Sequence, residues 1–156
     1  MPKKNPARRI YRGNKDSRTT MLEGAGRELL ASQILLKNGF MVSVPVADDR
    51  YDLIAEKHPY YFRIQVKPLN QKYRKDPNYS TSLNAWEINA FTNPNGVKKT
   101  YTEEEVDFVM GVELETSYYA IVPVCKIPNS GNIRLSEKTD KWCYFNSLIA
   151  LTSRLE

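Results

Sequence analysis

Two runs of sequence, RYDLIAE at residues 50–56 and YYFRIQVK at residues 60–67, decide the fold of this chain. Both runs are rich in aliphatic and aromatic residues, as expected of strands that enter a core. The three residues between them, KHP at 57–59, are too few for a helix and include a strand breaker. We therefore predict a β-hairpin at this position.

Polar residues lie at the open end of the predicted hairpin. Side chains alternate between the faces of a strand, so Gln65 and Lys67 point to the same side, and the hairpin brings Asp52 next to them. Burying such groups costs free energy, which indicates a functional site. Asp52, the side-chain oxygen of Gln65 and the Val66 carbonyl are hard oxygen ligands of the kind that Mg²⁺ takes. Lys67 would help to deprotonate an attacking water or neutralise charge on a phosphate.

A helix is predicted over residues 21–38, before the hairpin. Thr20 and Glu23 fit a capping box at its start, and Gly39 fits the C′ position at its end. Glu28 lies on a face of small or weakly polar neighbours: Gly24, Ala25, Ala31, Ser32 and Leu35. That face allows close packing on a sheet, so Glu28 should point towards the protein and add a metal ligand, directly or through water.

The remaining pattern predicts an α+β domain with a mixed, mostly antiparallel sheet flanked by helices. Further strands are expected at residues 40–46, 84–91, 107–112 and 118–124. A polar loop is expected at 68–79, and a closing helix at 142–151.

The excess positive charge is confined to the N-terminal arm. The net charge is +5, and residues 1–18 carry seven basic residues and one acidic residue, whereas the other 138 residues carry 16 and 17. Such an arm suits a polyanion such as nucleic acid. We therefore divide the chain into a basic, flexible arm (1–19) and a single domain (20–156), a division that suits its length.

Composition excludes several other classes of protein. There is one histidine, and Cys125 and Cys143 are not in CxxC spacing, so a zinc site is not expected and both cysteines should be buried free thiols. No apolar run is long enough to cross a bilayer, and no apolar stretch follows the basic N-terminus as in a secretory signal. We expect a prokaryotic cytoplasmic protein associated with the nucleoid.

Asp52 followed by Gln65-Val66-Lys67 resembles the PD-(D/E)XK nuclease motif, with Gln in place of the second acid. The similarity is closest to group I intron-encoded homing endonucleases of cyanobacterial type, and it extends over roughly residues 20–150. It is carried by residues 24–28, 39–40, Pro45, 51–54, 63–67, Tyr101, 106–108 and 119–124. Tyr51 precedes Asp52 where the general motif has Pro, and Pro68-Leu69 follows Lys67 where we expect Thr and a small residue.

The resemblance implies a restriction-endonuclease-like core and a role for each site residue. Asp52 matches the principal metal ligand, Gln65 the second-acid position, Lys67 the motif lysine and Glu28 the helix glutamate. Members of this branch cut double-stranded DNA with Mg²⁺ and act as oligomers; Mn²⁺ is expected to substitute. Because one chain holds one active site and a duplex has two strands, a homodimer or homotetramer is expected.

DNA contacts are expected from basic and aromatic residues outside the motif. They are Lys3, Lys4, Arg8, Arg9, Arg12, Lys15, Arg18, Lys72, Tyr73, Arg74, Lys75, Lys98 and Lys99. Base readout is expected from Asn70, Gln71, Asn78 and Ser80. Two alternatives stay open: a structure-selective nuclease of junction-resolvase type, and a DNA-binding module without catalysis, which Gln65 and Pro68 favour.

Overall fold

The computed structural model of the chain describes residues 17–47, 49–74 and 83–156. Predictions for the first 16 residues of the arm therefore lie outside the described residues, as do those for residues 75–82. Within the described ranges, no helix is both long and apolar enough to span a membrane.

Helix α1 spans Ser17–Lys37 and therefore begins before the predicted residue 21. Thr20 lies inside the helix, so the prediction that it is the N-cap is wrong; residues 17–23 contain no Gly or Pro that would delay the helix. The predicted end is confirmed. Gly39 has φ +86°, and the N–H groups of Gly39 and Phe40 donate to carbonyls of the last turn at 3.1 Å. These bonds form a Schellman motif, which turns the chain into the sheet.

Within the described residues, the sheet has seven strands and one parallel pair. Its strands are β1 (Met41–Ser43), β2 (Leu53–Lys57), β3 (Tyr60–Arg74), β4 (Leu83–Asn89), β7 (Phe108–Val112), β8 (Tyr119–Pro123) and β9 (Asn132–Ser136). A separate small pair consists of β5 (Phe91–Thr92) and β6 (Lys99–Thr100), and helix α2 (Ile149–Thr152) closes the chain. The predicted α+β class with a mostly antiparallel sheet is confirmed.

The predicted hairpin is confirmed, with Leu53 paired to Ile64 and Lys57 to Tyr60. Strand β3 then continues well beyond it, so the prediction of a loop from residue 68 is wrong as far as Arg74. Pro68 is the last residue paired with β7, and Leu69 is the first paired with β4. Because β3 exchanges neighbours at this point, the missing N–H of proline is tolerated within a continuous strand.

The core lies on both faces of β7. Phe108 and Met110 pack in the cluster below α1, whereas Val109 packs in a second cluster with residues of β4 and β9. Gly111 marks the closest approach between the layers, because a Cβ atom there would lie 2.6 Å from Cδ1 of Ile88. Strand β4 thus covers the face of β7 that α1 leaves open.

Two further expectations need correction, and one strand was missed. The segment predicted as a closing helix forms a 3₁₀ turn at Asp140–Tyr144 and then the four-residue α2, because Asn146 between them has φ +48°, outside the right-handed helical region. Strand β9 was not predicted. Cys125 and Cys143 are free but exposed, because both lie in short 3₁₀ segments at the surface.

Candidate active site

Asp52 is fixed at the start of β2 by two hydrogen bonds to β3. Its backbone N–H donates to the Ile64 carbonyl, and its Oδ2 accepts from the Val66 N–H, each at 2.9 Å. The carboxylate is half-buried. The hairpin register therefore sets the position of this acid directly, without a flexible loop between the strands.

Gln65 and Lys67 project from the same face of β3, between buried Ile64 and Val66, whose side chains enter the core below α1. The Gln65 Nε2 donates a long hydrogen bond, 3.4 Å, to the Val66 carbonyl. The Lys67 Nζ donates to the Phe91 carbonyl at 3.3 Å. The amide, the Val66 carbonyl and the ammonium thus lie at the end of the hairpin next to Asp52, which bonds the Val66 N–H and whose charge acts on Lys67.

The site residues are electrostatically coupled. Burial raises the pKa of Asp52, against the opposing effects of the Val66 N–H and the Lys67 charge. Burial lowers the pKa of Lys67; the Asp52 charge opposes this shift and the Arg50 charge adds to it. Burial, and then the nearby Asp52 charge, raise the pKa of Glu28. The Asp52 charge acts on Glu28, so helix α1 places this carboxylate near Asp52.

A cluster of polar contacts around Arg50, which the sequence did not reveal, supports the site from one side. The Arg50 guanidinium donates to Oε2 of Glu105 at 3.0 Å, to Oγ1 of Thr92 at 3.0 Å and to the Thr100 carbonyl at 3.1 Å. It also lies 4.2 Å from the centre of the Tyr101 ring. Glu105 is 55 residues from Arg50 in the chain, so no local pattern indicates this pair.

Tyr101 links this cluster to the lysine. Its ring centre is 5.4 Å from the Lys67 Nζ, and the residue is only 5% exposed. Among the described residues its buried hydroxyl has no hydrogen-bond partner. Burial raises the pKa of Tyr101 to about 12; the Arg50 charge opposes this shift and the Asp52 and Glu105 charges add to it, so the phenol is a neutral donor at physiological pH.

The oxygen donors at this end of the hairpin fit a hard divalent cation. The described residues contain no group of three His, Cys, Asp or Glu side chains suited to a metal. The available set is two carboxylates, from Asp52 and Glu28, with the Gln65 amide and the Val66 carbonyl. Rotating the amide by 180° exchanges its nitrogen and oxygen, so Oε1 can face the same region as the Val66 carbonyl. All four are oxygen ligands, the type that Mg²⁺ prefers.

The predicted DNA contacts are placed only in part. Arg18, Lys72, Lys98 and Lys99 are exposed, as are Asn70 and Gln71 on β3. Lys98 donates to the Ser130 carbonyl, and Lys99 pairs with Glu105 at 3.7 Å. Tyr73 and Arg74 lie in β3. The other predicted contacts lie outside the described residues: Lys3, Lys4, Arg8, Arg9, Arg12, Lys15, Lys75, Asn78 and Ser80.

An acid at the start of one strand, a Q-x-K run on its hairpin partner and a helix glutamate beside them form the arrangement of a PD-(D/E)XK nuclease. The family model described as PD-(D/E)XK endonuclease matches residues 19–144, and the chain belongs to this family. Its structure is similar to that of a bacterial homing endonuclease, I-Ssp6803I, with a TM-score of 0.63 and 19% identity. The match covers 86% of this chain and 93% of that one, which shows a shared fold. No curated protein matches the sequence.

Proposed function

We propose that this protein is a Mg²⁺-dependent, site-specific endonuclease of double-stranded DNA, of homing type. The observation that carries the proposal is the Asp52 carboxylate, fixed by the Val66 N–H at 2.9 Å and coupled to both Lys67 and Glu28. Nothing in a simple structural strand requires an acid, an amide and a lysine at this half-buried position. On a PD-(D/E)XK fold, that combination supports phosphodiester hydrolysis.

Four groups would hold the metal: the Asp52 carboxylate, the Gln65 amide oxygen, the Val66 carbonyl and Glu28. When bound, Mg²⁺ supplies Lewis-acid activation of the phosphate and of the attacking water; Mn²⁺ would serve in its place. Glu28 acts directly or through water. Because Gln65 carries no charge where a second acid is usual, the two carboxylates provide all the negative charge that the protein contributes.

Lys67 would take a proton from the attacking water or neutralise charge that develops on the phosphate. Burial lowers its pKa, which increases the fraction of neutral amine available as a base. The Phe91 carbonyl and the Tyr101 ring hold the Nζ in place. Pro68 does not disturb the strand that carries Lys67, since β3 continues through it without interruption.

We infer a homo-oligomer, a dimer or a tetramer, because each chain carries one such site and a double-strand cut needs two. Sedimentation of the protein on its DNA would measure the number of chains. A monomer that cuts both strands at one position would contradict this inference.

The test is cleavage of linear and supercoiled duplex DNA by the purified protein, with Mg²⁺, with Mn²⁺ and with EDTA. We expect cutting at defined positions with either metal and none with EDTA. Lys67→Ala should lower the cleavage rate by about 10²–10⁴-fold, the usual contribution of a positioned acid or base. The matched control is Lys126→Ala, which removes an exposed lysine from a 3₁₀ turn and should cut normally.

Other outcomes would select the alternatives. Cleavage of four-way junctions, with no cutting of linear duplex, would indicate a structure-selective nuclease. DNA binding by the parent protein that Lys67→Ala leaves unchanged, with no cutting under any metal condition, would indicate a module that has lost catalysis.

A further inference from the structure

A small β-hairpin, residues 91–100, stands beside the site, and apart from the Phe91 carbonyl that holds Lys67 it has no role in the chemistry described above. Its strands β5 and β6 pair antiparallel, with Phe91 opposite Thr100 and Thr92 opposite Lys99. Every residue from 93 to 99 is exposed. The 3₁₀ turn Pro94–Gly96 forms its tip, where Asn95 has φ +53°. The hairpin therefore has a fixed base and a tip that faces solvent.

The base of the 91–100 hairpin is attached to the catalytic centre itself. The Phe91 carbonyl accepts from Lys67, and Arg50, two residues before Asp52, donates to both Thr92 and Thr100. Both strands of the hairpin are thus held by residues on or next to the two strands that carry the site. The tip has a defined offset from the scissile phosphate that those residues would act on.

The chemistry of the hairpin suits the edge of a DNA groove. Residues 91–100 carry two lysines and no acid. Asn93 and Asn95 place two exposed amides near the tip, and an amide can form two hydrogen bonds to the major-groove edge of adenine. The B-DNA major groove is wide enough for a two-stranded β-ribbon.

We propose that the 91–100 hairpin is a base-reading element that enters the major groove beside the cut and recognises adenine through Asn93 and Asn95. This inference rests on the proposed nuclease function. Each side of the hairpin has four to five residues, so its reach is about 15 Å at ~3.3 Å per residue. At ~3.4 Å per base step, the bases that it reads lie within about five base pairs of the scissile phosphate.

The test uses the variant Asn93→Ala/Asn95→Gly, which removes both amides. Glycine accepts the positive φ at residue 95, so the turn is preserved, and an unchanged Tm would verify this. Sites cut by the parent protein are first mapped by sequencing the ends in a genomic DNA digest. Duplexes with that site and every single base substitution are then cleaved by parent and variant.

The parent should discriminate against substitutions at one or two positions within about five base pairs of the cut by roughly tenfold to a hundredfold. In the variant, kcat/KM on the preferred duplex should fall to the value for the substituted duplexes, and discrimination at distant positions should persist. Gln33→Ala, which removes an exposed amide from α1, is the control and should keep the parental pattern. A variant that keeps the parental base preferences would overturn this inference but not the proposed function. A parent protein that cuts no DNA would overturn the proposed function.

Discussion

Asp52 shows how an active-site residue opposes stability. Burial raises its pKa above the ordinary value of 3.8, so the folded state binds the proton more tightly than the unfolded state. The charged carboxylate therefore lowers the free energy of unfolding as pH rises from 3.8 through the raised folded-state pKa. The fold keeps this unfavourable charge at the residue that we propose as a metal ligand.

We predict that Asp52→Asn raises the Tm at pH 7 while it abolishes cleavage. The asparagine Oδ1 can still accept from the Val66 N–H, and the half-buried negative charge is removed. We expect a rise of about 1–2 °C, or roughly half a kcal/mol after solvent screening, measured by thermal unfolding in EDTA. The gain should disappear below pH 3.8. Asp49→Asn, at an exposed neighbouring residue, should leave Tm unchanged; a lower Tm for Asp52→Asn would show that the carboxylate stabilises the fold.

Two substitutions of Tyr101 separate the contribution of its ring to stability from that of its hydroxyl. Tyr101→Phe removes a buried donor that has no partner among the described residues, so the free energy of unfolding should stay the same or rise by up to about 1 kcal/mol. Tyr101→Leu also removes the ring that contacts Arg50 and Lys67, and should cost about 2 kcal/mol or more. Urea unfolding measures both. Equal losses in the two variants would mean that the hydroxyl is hydrogen-bonded in solution.

At the scale of elements, β7 and β4 pack closely where Gly111 faces Ile88. Gly111→Ala would place Cβ 2.6 Å from Cδ1 and 2.7 Å from Cγ1 of Ile88, and should destabilise the fold by about 1–3 kcal/mol. Ile88→Ala alone should cost about 2–5 kcal/mol through a cavity.

The two changes should compensate each other, since the new methyl group occupies part of that cavity. We predict that the loss of unfolding free energy in the double variant is smaller than the sum of the two single losses. The difference should be about 1 kcal/mol or more, as measured by urea unfolding. Additive losses would show that β4 moves aside to accommodate the methyl group.

The elements also show what sequence patterns can predict. The hairpin was predictable, because alternating apolar runs flank a short link that contains Pro59. The length of β3 was not, since Pro68 and the polar run after it resemble a loop; only pairing with β4 accounts for the strand. Strand β9 has alternating Ile133 and Leu135, both fully buried, but it is too short for that pattern to be distinctive.

Contacts between distant parts of the chain were the other failure. The support of Arg50 by Glu105 and of Lys67 by the Phe91 carbonyl joins residues 55 and 24 positions apart. Neither pair leaves a periodic signal, because each joins residues that meet only in the folded tertiary structure.

At the scale of the whole molecule, the excess positive charge lies at the N-terminal end of the sequence. Residues 1–16 contain six basic residues and one acidic residue, whereas the rest of the chain is nearly neutral. Deletion of residues 1–16 should therefore weaken DNA binding at all sequences alike. The slope of log K against log salt concentration should fall by ~0.9 for each lost phosphate contact, or about five in total if all six residues bind.

Binding titrations at several salt concentrations measure this slope. Replacing the six basic residues with glutamine is the matched control for arm length and should give the same loss. An unchanged slope would show that the arm does not contact phosphates.

Because β3 is continuous, a single strand sets the distance between Lys67 and the side chains proposed to read bases. Lys67 and the exposed Asn70 and Gln71 lie on the same uninterrupted backbone, with no hinge at Pro68. A strand rises ~3.3 Å per residue, close to the ~3.4 Å step between stacked bases. A given number of residues along the strand therefore spans about the same length as that number of base pairs. In the proposed complex, insertion of one residue after Pro68 would turn Gln71, which lies four residues from Lys67 on the same face of β3, to the opposite face, whereas insertion of two residues would keep it on that face.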